Sequence, residues 1–260
     1  MVTLFIKNRK GQKLVVVVEE GPKGGPLAFV MHGLGGWKDQ AHIKTFAQAF
    51  LENGFTVIRF DVRNSWGESG GNPENENITN DLADLEDVIS WAKKQSWYQE
   101  PFWLAGHSLG GICAALFAER NPKRVAGLAP ISTCVSGKLS LESEKHKGYL
   151  EEWKRTGWHE YVSATVPGRV KRYPWSHMED RMKYDLLPQA KKLIMPVLLI
   201  VGELDTGTPP EHQKLLFDAL LGPKEMHIIK GAKHTFVEPR HLQEIKRLFD
   251  RWIRNYAGKR

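Results

Sequence analysis

The sequence predicts an α/β fold in which a mostly parallel central sheet is flanked by helices and interrupted by one long inserted segment. Short β-branched runs alternate with amphipathic stretches of helical length, the pattern left by strands joined through crossover helices. The alternation stops near Thr133 and resumes near Met195, and the stretch between is rich in aromatic and charged residues without an apolar strand run. A chain of 260 residues with 41% hydrophobic content can bury one sizeable core, which excludes a disordered chain or a disulfide-held mini-domain. The expected organisation is a core of residues 1–132 and 195–260, over which 133–194 is laid as a lid.

Along the chain, Lys13–Val18 and Leu27–Met31 read as strands separated by a Gly/Pro turn over Glu20–Pro26. A helix is expected from Asp39, a residue type suited to N-capping, to Asn53, with Gly54 as its stop. Phe55–Phe60 is the next strand and Asn72–Asn77 a polar loop. Leu82, Leu85, Val88, Ile89 and Ala92 then recur at helical spacing within Asp81–Lys94. Pro101 opens the strand Phe102–Ala105, Gly110–Asn121 is a helix of small residues, and Val125–Ile131 is an apolar strand. After the insertion, Met195–Gly202 and Glu225–Ile229 read as strands, with Glu211–Leu220 and Arg240–Tyr256 as helices.

The charge balance is 37 Lys+Arg against 30 Asp+Glu, a net +7. Both signs are interspersed along the chain, so a nucleic-acid track is not expected. The densest basic groups, Arg169, Lys171 and Arg172, and Lys191 with Lys192, read as solvated surface. The longest apolar runs, Leu14–Val18 and Val197–Val201, are strand-sized, so no membrane partner is expected. Met1–Lys10 lacks the basic, apolar, small-residue order of a secretory signal. Together with two cysteines read as free thiols, Cys113 and Cys134, this predicts a cytoplasmic protein. Zinc-finger spacing, H-E-x-x-H, paired C-x-x-C and a P-loop are all missing from the sequence, so no metal or cofactor is expected and any chemistry falls to side chains.

The pattern with most chemistry is Gly106-His107-Ser108-Leu109-Gly110, set between a predicted strand and a predicted helix. A serine there can occupy a sharp turn too crowded for side chains two positions away, with the following helix aiming N–H groups at the same point. A serine hydroxyl is a weak nucleophile and needs a base oriented by an acid. Asp205 in Gly202-Glu203-Leu204-Asp205 and His234 in Gly231-Ala232-Lys233-His234 each follow a predicted strand, in the chain order Ser, Asp, His. Glu203 is the alternative acid. His107 abuts the serine, His227 falls in a strand, and His212 and His241 fall in helices, so each is a poorer base. His32-Gly33-Leu34-Gly35-Gly36 follows the strand Leu27–Met31. The backbone amides of Leu34 and Leu109 are the candidate oxyanion donors. The Ser65–Ser69 loop reads as structure beside the site.

These motifs, with Phe60-Asp61-Val62-Arg63-Asn64-Ser65-Trp66-Gly67-Glu68-Ser69 and Pro209 after Gly-Glu-Leu-Asp, resemble the α/β-hydrolase family over nearly the whole chain. Within it the sequence is most similar to small serine esterases of cinnamoyl/feruloyl esterase-like and monoacylglycerol lipase-like type. The loop after Phe60 departs from the family's usual Asp-x-x-Gly-x-Gly-x-Ser. The resemblance implies cofactor-free hydrolysis of a short-acyl or aromatic-acyl carboxylic ester through an acyl-enzyme. The partner implied is a small-molecule ester, and no motif speaks to oligomeric state. Two other readings stay open, a serine peptidase acting on short peptides and a non-catalytic binding protein that keeps the fold. Of Trp153, Trp158, Tyr161, Tyr173, Trp175 and Tyr184 in the insertion, most are expected to form its own small core and two or three to face the pocket.

Overall fold

The computed structural model describes residues 1–163 and 166–258. Its strands are β1 (Val2–Lys7), β2 (Lys13–Glu19), β3 (Leu27–Met31), β4 (Thr56–Asp61), β5 (Phe102–His107), β6 (Val125–Ile131), β7 (Trp158–Val162), β8 (Val170–Pro174), β9 (Val197–Gly202) and β10 (Lys224–Ile229). The helices are α1 (Ala41–Glu52), α2 (Ile78–Ala92), α3 (Leu109–Arg120), α4 (Gly137–Glu142), α5 (Glu144–Lys147), α6 (Leu150–Thr156), α7 (Trp175–Arg181), α8 (Pro210–Ala219) and α9 (Pro239–Ala257). Eight strands form one sheet in the order β1-β2-β4-β3-β5-β6-β9-β10. From β4 to β10 every neighbouring pair is parallel, while β2 runs antiparallel to both β1 and β4.

Period-two alternation explains why β3 is apolar throughout. Leu27, Phe29 and Met31 enter the core under α2, α3 and α8, whereas Ala28 and Val30 enter the core under α1 and α9. A strand covered on both faces needs both residue sets to be apolar. Helix α9 closes the second face with Ile245, Phe249, Trp252 and Ile253, the four-residue rhythm of one helix stripe.

Three local expectations need correction. Asp39 does not cap α1. The N-cap is Gln40, without a side-chain cap bond, because the Asp39 carboxylate is taken by Arg59 Nη1 at 2.5 Å. Helix α2 starts at Ile78, since the Asn77 side chain accepts from the Asn80 amide at 2.9 Å and converts the end of the polar loop into a cap. β1 lies in the stretch read only as a non-signal N-terminus, where it pairs in register with β2.

Residues 133–194, of which 164 and 165 lie outside the described residues, connect β6 to β9. They contain strands after all, because β7 and β8 form an antiparallel hairpin. Charge alternation hid it: in Val170-Lys171-Arg172-Tyr173, Lys171 and Tyr173 point inward and Val170 and Arg172 outward. Tyr173 packs with Trp153 and Met178 in a separate small cluster, edged by Tyr149, Tyr161 and Trp175.

Candidate active site

The chain leaves β3 for β4 on one side and returns to β5 on the other, so a crevice opens beyond the C-terminal ends of β3 and β5, where ligands bind in open α/β sheets. Ser108 sits there, between β5 and α3, with φ 55° and ψ −113°. Such a conformation costs on the order of 1–3 kcal/mol in a non-glycine residue and persists only when its surroundings enforce it. They do: a Cβ on Gly106 would lie 2.2 Å from the Gly110 carbonyl oxygen, and one on Gly110 would lie 2.3 Å from that of His32. The crowding explains both glycines of the motif.

Asp205 and His234 converge on Ser108 from the loops after β9 and β10. His234 Nδ1 is 2.7 Å from Asp205 Oδ2, and His234 Nε2 is 2.9 Å from Ser108 Oγ. An ionised carboxylate only accepts, so the proton belongs on Nδ1 and Nε2 offers its lone pair to the serine hydroxyl. The Asp205 side chain is fully buried. Burial alone would raise its pKa, but the charge and hydrogen bond of His234, with donors from Thr208, outweigh it and hold the carboxyl well below the usual range. Asp205 Oδ1 accepts from the Gly207 amide at 3.0 Å and the Thr208 amide at 2.9 Å. Glu203 is turned away, accepting from the Gly231 amide at 2.8 Å.

His107 serves the site from behind. Its Nε2–H donates to the His234 carbonyl oxygen at 2.8 Å, pinning the loop that carries His234. Burial holds its pKa well down, so it stays a neutral donor.

The Gly33–Gly36 turn lies against the serine. A Cβ on Gly33 would come within 2.8 Å of Ser108 Cβ, and Leu34 and Leu109 line the same cavity as Ser108 and His234. The Leu109 amide, first in α3, has no partner within its own helix. The turn is clamped at Gly35, whose amide donates to Glu76 Oε2 at 2.9 Å and whose carbonyl accepts from Lys171 Nζ at 2.7 Å. Gly35 has φ +64°, and a Cβ there would lie 2.7 Å from both Lys171 Nζ and Tyr173 Oη, so a side chain would be strained and would push against the clamp. Lys171 is therefore not solvated surface. Its neighbours Arg169 and Arg172 stack over the Trp66 and Trp158 rings at 4.7 and 3.9 Å.

The cavity above Ser108 measures about 790 Å³. Of the six insertion aromatics only Tyr161 lines it, fewer than the two or three expected, because Trp153 and Tyr173 are consumed by the insertion's own cluster. The insertion contributes cations instead, Lys145, Lys171 and Arg181. The Ser65–Ser69 loop wraps the end of β4: the Glu68 amide donates to Asp61 Oδ2 at 2.9 Å and Ser69 Oγ to the Asp61 carbonyl at 2.6 Å. Buried Lys38 closes that arrangement with Asp61 at 3.1 Å and with Glu68. Sequence reasoning missed Thr208, although amides two and three residues beyond an aspartate are its usual turn partners. Among the described residues there is no group of three or more His, Cys, Asp or Glu side chains able to hold a metal ion, and no helix is long and apolar enough to cross a membrane.

The comparisons with known proteins agree with this architecture. An uncharacterized 31.7 kDa protein of Escherichia coli, from the traX-finO intergenic region, is 27% identical over 282 residues, which cover 96% of this chain and 98% of that one. The structure of Est1E from Butyrivibrio proteoclasticus with ferulic acid bound superposes with a TM-score of 0.81 at 20% identity, covering 98% of this chain and all of the other. Mouse alpha/beta hydrolase domain-containing protein 10 gives 0.80 at 19% identity, covering 98% and 99%. Residues 28–158, half of the chain and the part that runs from β3 to the end of α6, match the alpha/beta hydrolase fold family, and the chain belongs to that family.

Proposed function

We propose that the protein is a serine hydrolase that cleaves carboxylic esters of short or aromatic acyl groups. The observation that carries this reading is the unbroken hydrogen-bonded series from Ser108 Oγ through His234 to Asp205. As Ser108 Oγ attacks the acyl carbon, its proton passes to His234 Nε2, while Asp205 holds the opposite nitrogen and stabilises the imidazolium. The carbonyl oxygen becomes an oxyanion, for which the Leu34 and Leu109 amides are the donors. Collapse expels the alkoxide, which takes the proton from Nε2. Water then repeats the cycle on the acyl-enzyme, releasing the acid and restoring the serine. In this reading residues 133–194 form the lid that shapes the acyl pocket. The ferulic acid held by the similarly folded Est1E supports including aromatic acyl groups in the substrate class.

The test is labelling by a fluorophosphonate probe, with hydrolysis of p-nitrophenyl esters from acetate to palmitate, hydroxycinnamate esters and aminoacyl amides. Probe labelling and ester turnover that both vanish in Ser108→Ala are the expected result. Turnover persisting in a clean Ser108→Ala preparation would overturn the mechanism, and amides cleaved faster than esters would move the substrate class to peptides.

A further inference from the structure

Arg181, the last residue of α7, lines the cavity with Ser108, has no part in the acyl transfer described above, and is only 7% exposed. Its Nη1 donates to Ser140 Oγ at 2.7 Å, its Nη2 donates to His177 Nε2 at 2.7 Å, and its Nε has no partner. Both partners are neutral. His177 Nδ1–H donates to the Glu76 carbonyl at 2.8 Å, which leaves Nε2 as a lone pair for the guanidinium, and burial with the Arg181 charge pulls its pKa down to about 3. His146, held at 2.7 Å from the Ser140 carbonyl, is kept neutral the same way. The Glu76 carboxyl is pushed well up by burial, and Asp180 is engaged by Thr79 and Lys183.

A buried cation without a counter-charge is strongly unfavourable. Where it also lines a cavity, the anion that completes it can come with a ligand. A second cation stands beside it. Lys145 lines the same cavity, and the surface it exposes is open to a ligand there. Desolvation by the surrounding protein, with the Arg181 charge second, lowers its pKa. Asp205 is the acid that favours its charged form, and that carboxylate is committed to His234. Ser140, gripped by Arg181, adjoins Cys134, whose amide reaches the Ser108 carbonyl at 3.4 Å. Arg181 and Lys145 thus share with Ser108 the walls of one cavity.

We propose that the cavity takes an ester carrying a carboxylate, which Arg181 and Lys145 bind while the ester carbonyl lies at Ser108. This narrows the substrate class and rests on the hydrolase reading above. The carboxylate can belong to the acyl or to the alcohol portion, and two substrate pairs distinguish them. In a pH-stat, monomethyl adipate is compared with methyl hexanoate, and 4-acetoxybutanoate with butyl acetate. The expected result is a preference of at least about tenfold in kcat/KM for the anionic member of one pair, since charge-assisted hydrogen bonds are the strong ones. That ratio collapses in Arg181→Gln, falls in Lys145→Gln and is partly restored in Arg181→Lys. If Arg181→Gln does not fold, the Lys145→Gln and Arg181→Lys ratios decide. Neutral esters preferred in both pairs, or ratios unchanged in the variants, would overturn the proposal. Calorimetric binding of monomethyl adipate and methyl hexanoate to Ser108→Ala separates the two claims. Selective binding of the anion without ester turnover by the wild type would leave this site standing and remove the hydrolase reading. Turnover of neutral esters without anion selectivity would do the reverse.

Discussion

Replacing Lys171 by Met tests whether the β7–β8 hairpin sets the geometry of the turn opposite Ser108. The Lys171 ammonium is buried, 6% exposed, and donates to the Gly35 carbonyl at 2.7 Å. Gly35 follows the Leu34 amide proposed as an oxyanion donor, so a loosened Gly35 displaces that donor directly. A hydrogen bond to a charged group is worth about 1.5–3 kcal/mol. If that energy is expressed as lost oxyanion stabilisation, kcat falls between about 10-fold and 150-fold. Binding of the ground-state ester does not use the oxyanion donor, so KM for p-nitrophenyl butyrate should change far less than kcat. The rate of fluorophosphonate labelling should fall in parallel, because the probe's phosphoryl oxygen needs the same donors. Arg169→Ala is the control: it removes a neighbouring cation that stacks over Trp66 without touching the turn, and its kcat should match the wild type. A folded Lys171→Met protein with wild-type kcat and labelling rate would show that the hairpin does not position the turn.

Ser108→Ala should lower ester turnover by up to about 10⁶-fold with the melting temperature preserved, as measured by initial rates and calorimetry. Asp205→Asn should lower kcat by up to about 10⁴-fold through the wrong imidazole tautomer, while Glu203→Gln, whose carboxylate serves the Gly231 amide, should retain activity. The opposite ranking would name Glu203 as the acid. Burial raises the Glu119 carboxyl from 4.5 to about 8, against the charges of Lys192 and Arg120. The folded state therefore holds this proton where the unfolded state has lost it, and stability declines as pH rises from about 4.5 to about 8. At about 1.4 kcal/mol per pH unit the ceiling is about 5 kcal/mol, and solvent screening at this site reduces the expected effect to about 2. Glu119→Gln should thus melt several degrees above wild type at pH 9 and close to it at pH 4, and equal pH slopes would refute the assignment.

The sheet was legible because burial on both faces writes itself into the sequence. Val125–Ile131 and Leu27–Met31 have the same bounds in the sequence reading and in the structure. Ser108, Asp205 and His234 were legible because each sits next to glycine-bearing loops at a strand end, and the structure brings all three within hydrogen-bond reach. The insertion was not legible, for a physical reason. Its hairpin buries one face over a small cluster, and the inward positions of β8 include a lysine. Hydrophobic periodicity cannot register a strand whose buried face carries a charge. Arg181 and His177 were invisible for a related reason, since the polar contacts of both side chains reach residues outside α7 or run between the two themselves.

What each part of the chain can hold in place accounts for the division of labour between them. Proton transfer requires heavy atoms within about 2.6–3.2 Å, a tolerance that short loops rooted in the strand ends of one continuous sheet can keep. Ser108 directly follows β5, Asp205 lies three residues beyond β9, and His234 lies five beyond β10. Attraction between a buried cation and a substrate anion falls off only as the inverse of distance, so it survives on a scaffold of short helices and one hairpin. The basic side chains of 133–194 can therefore select an ester from a frame too slight to perform chemistry on it. Arg181 is held by a serine of α4 and a histidine of its own helix, and Lys171 by a single carbonyl. It follows that substitutions which change the ester taken should concentrate in the insertion, and those which stop turnover should concentrate in the loops at the strand ends.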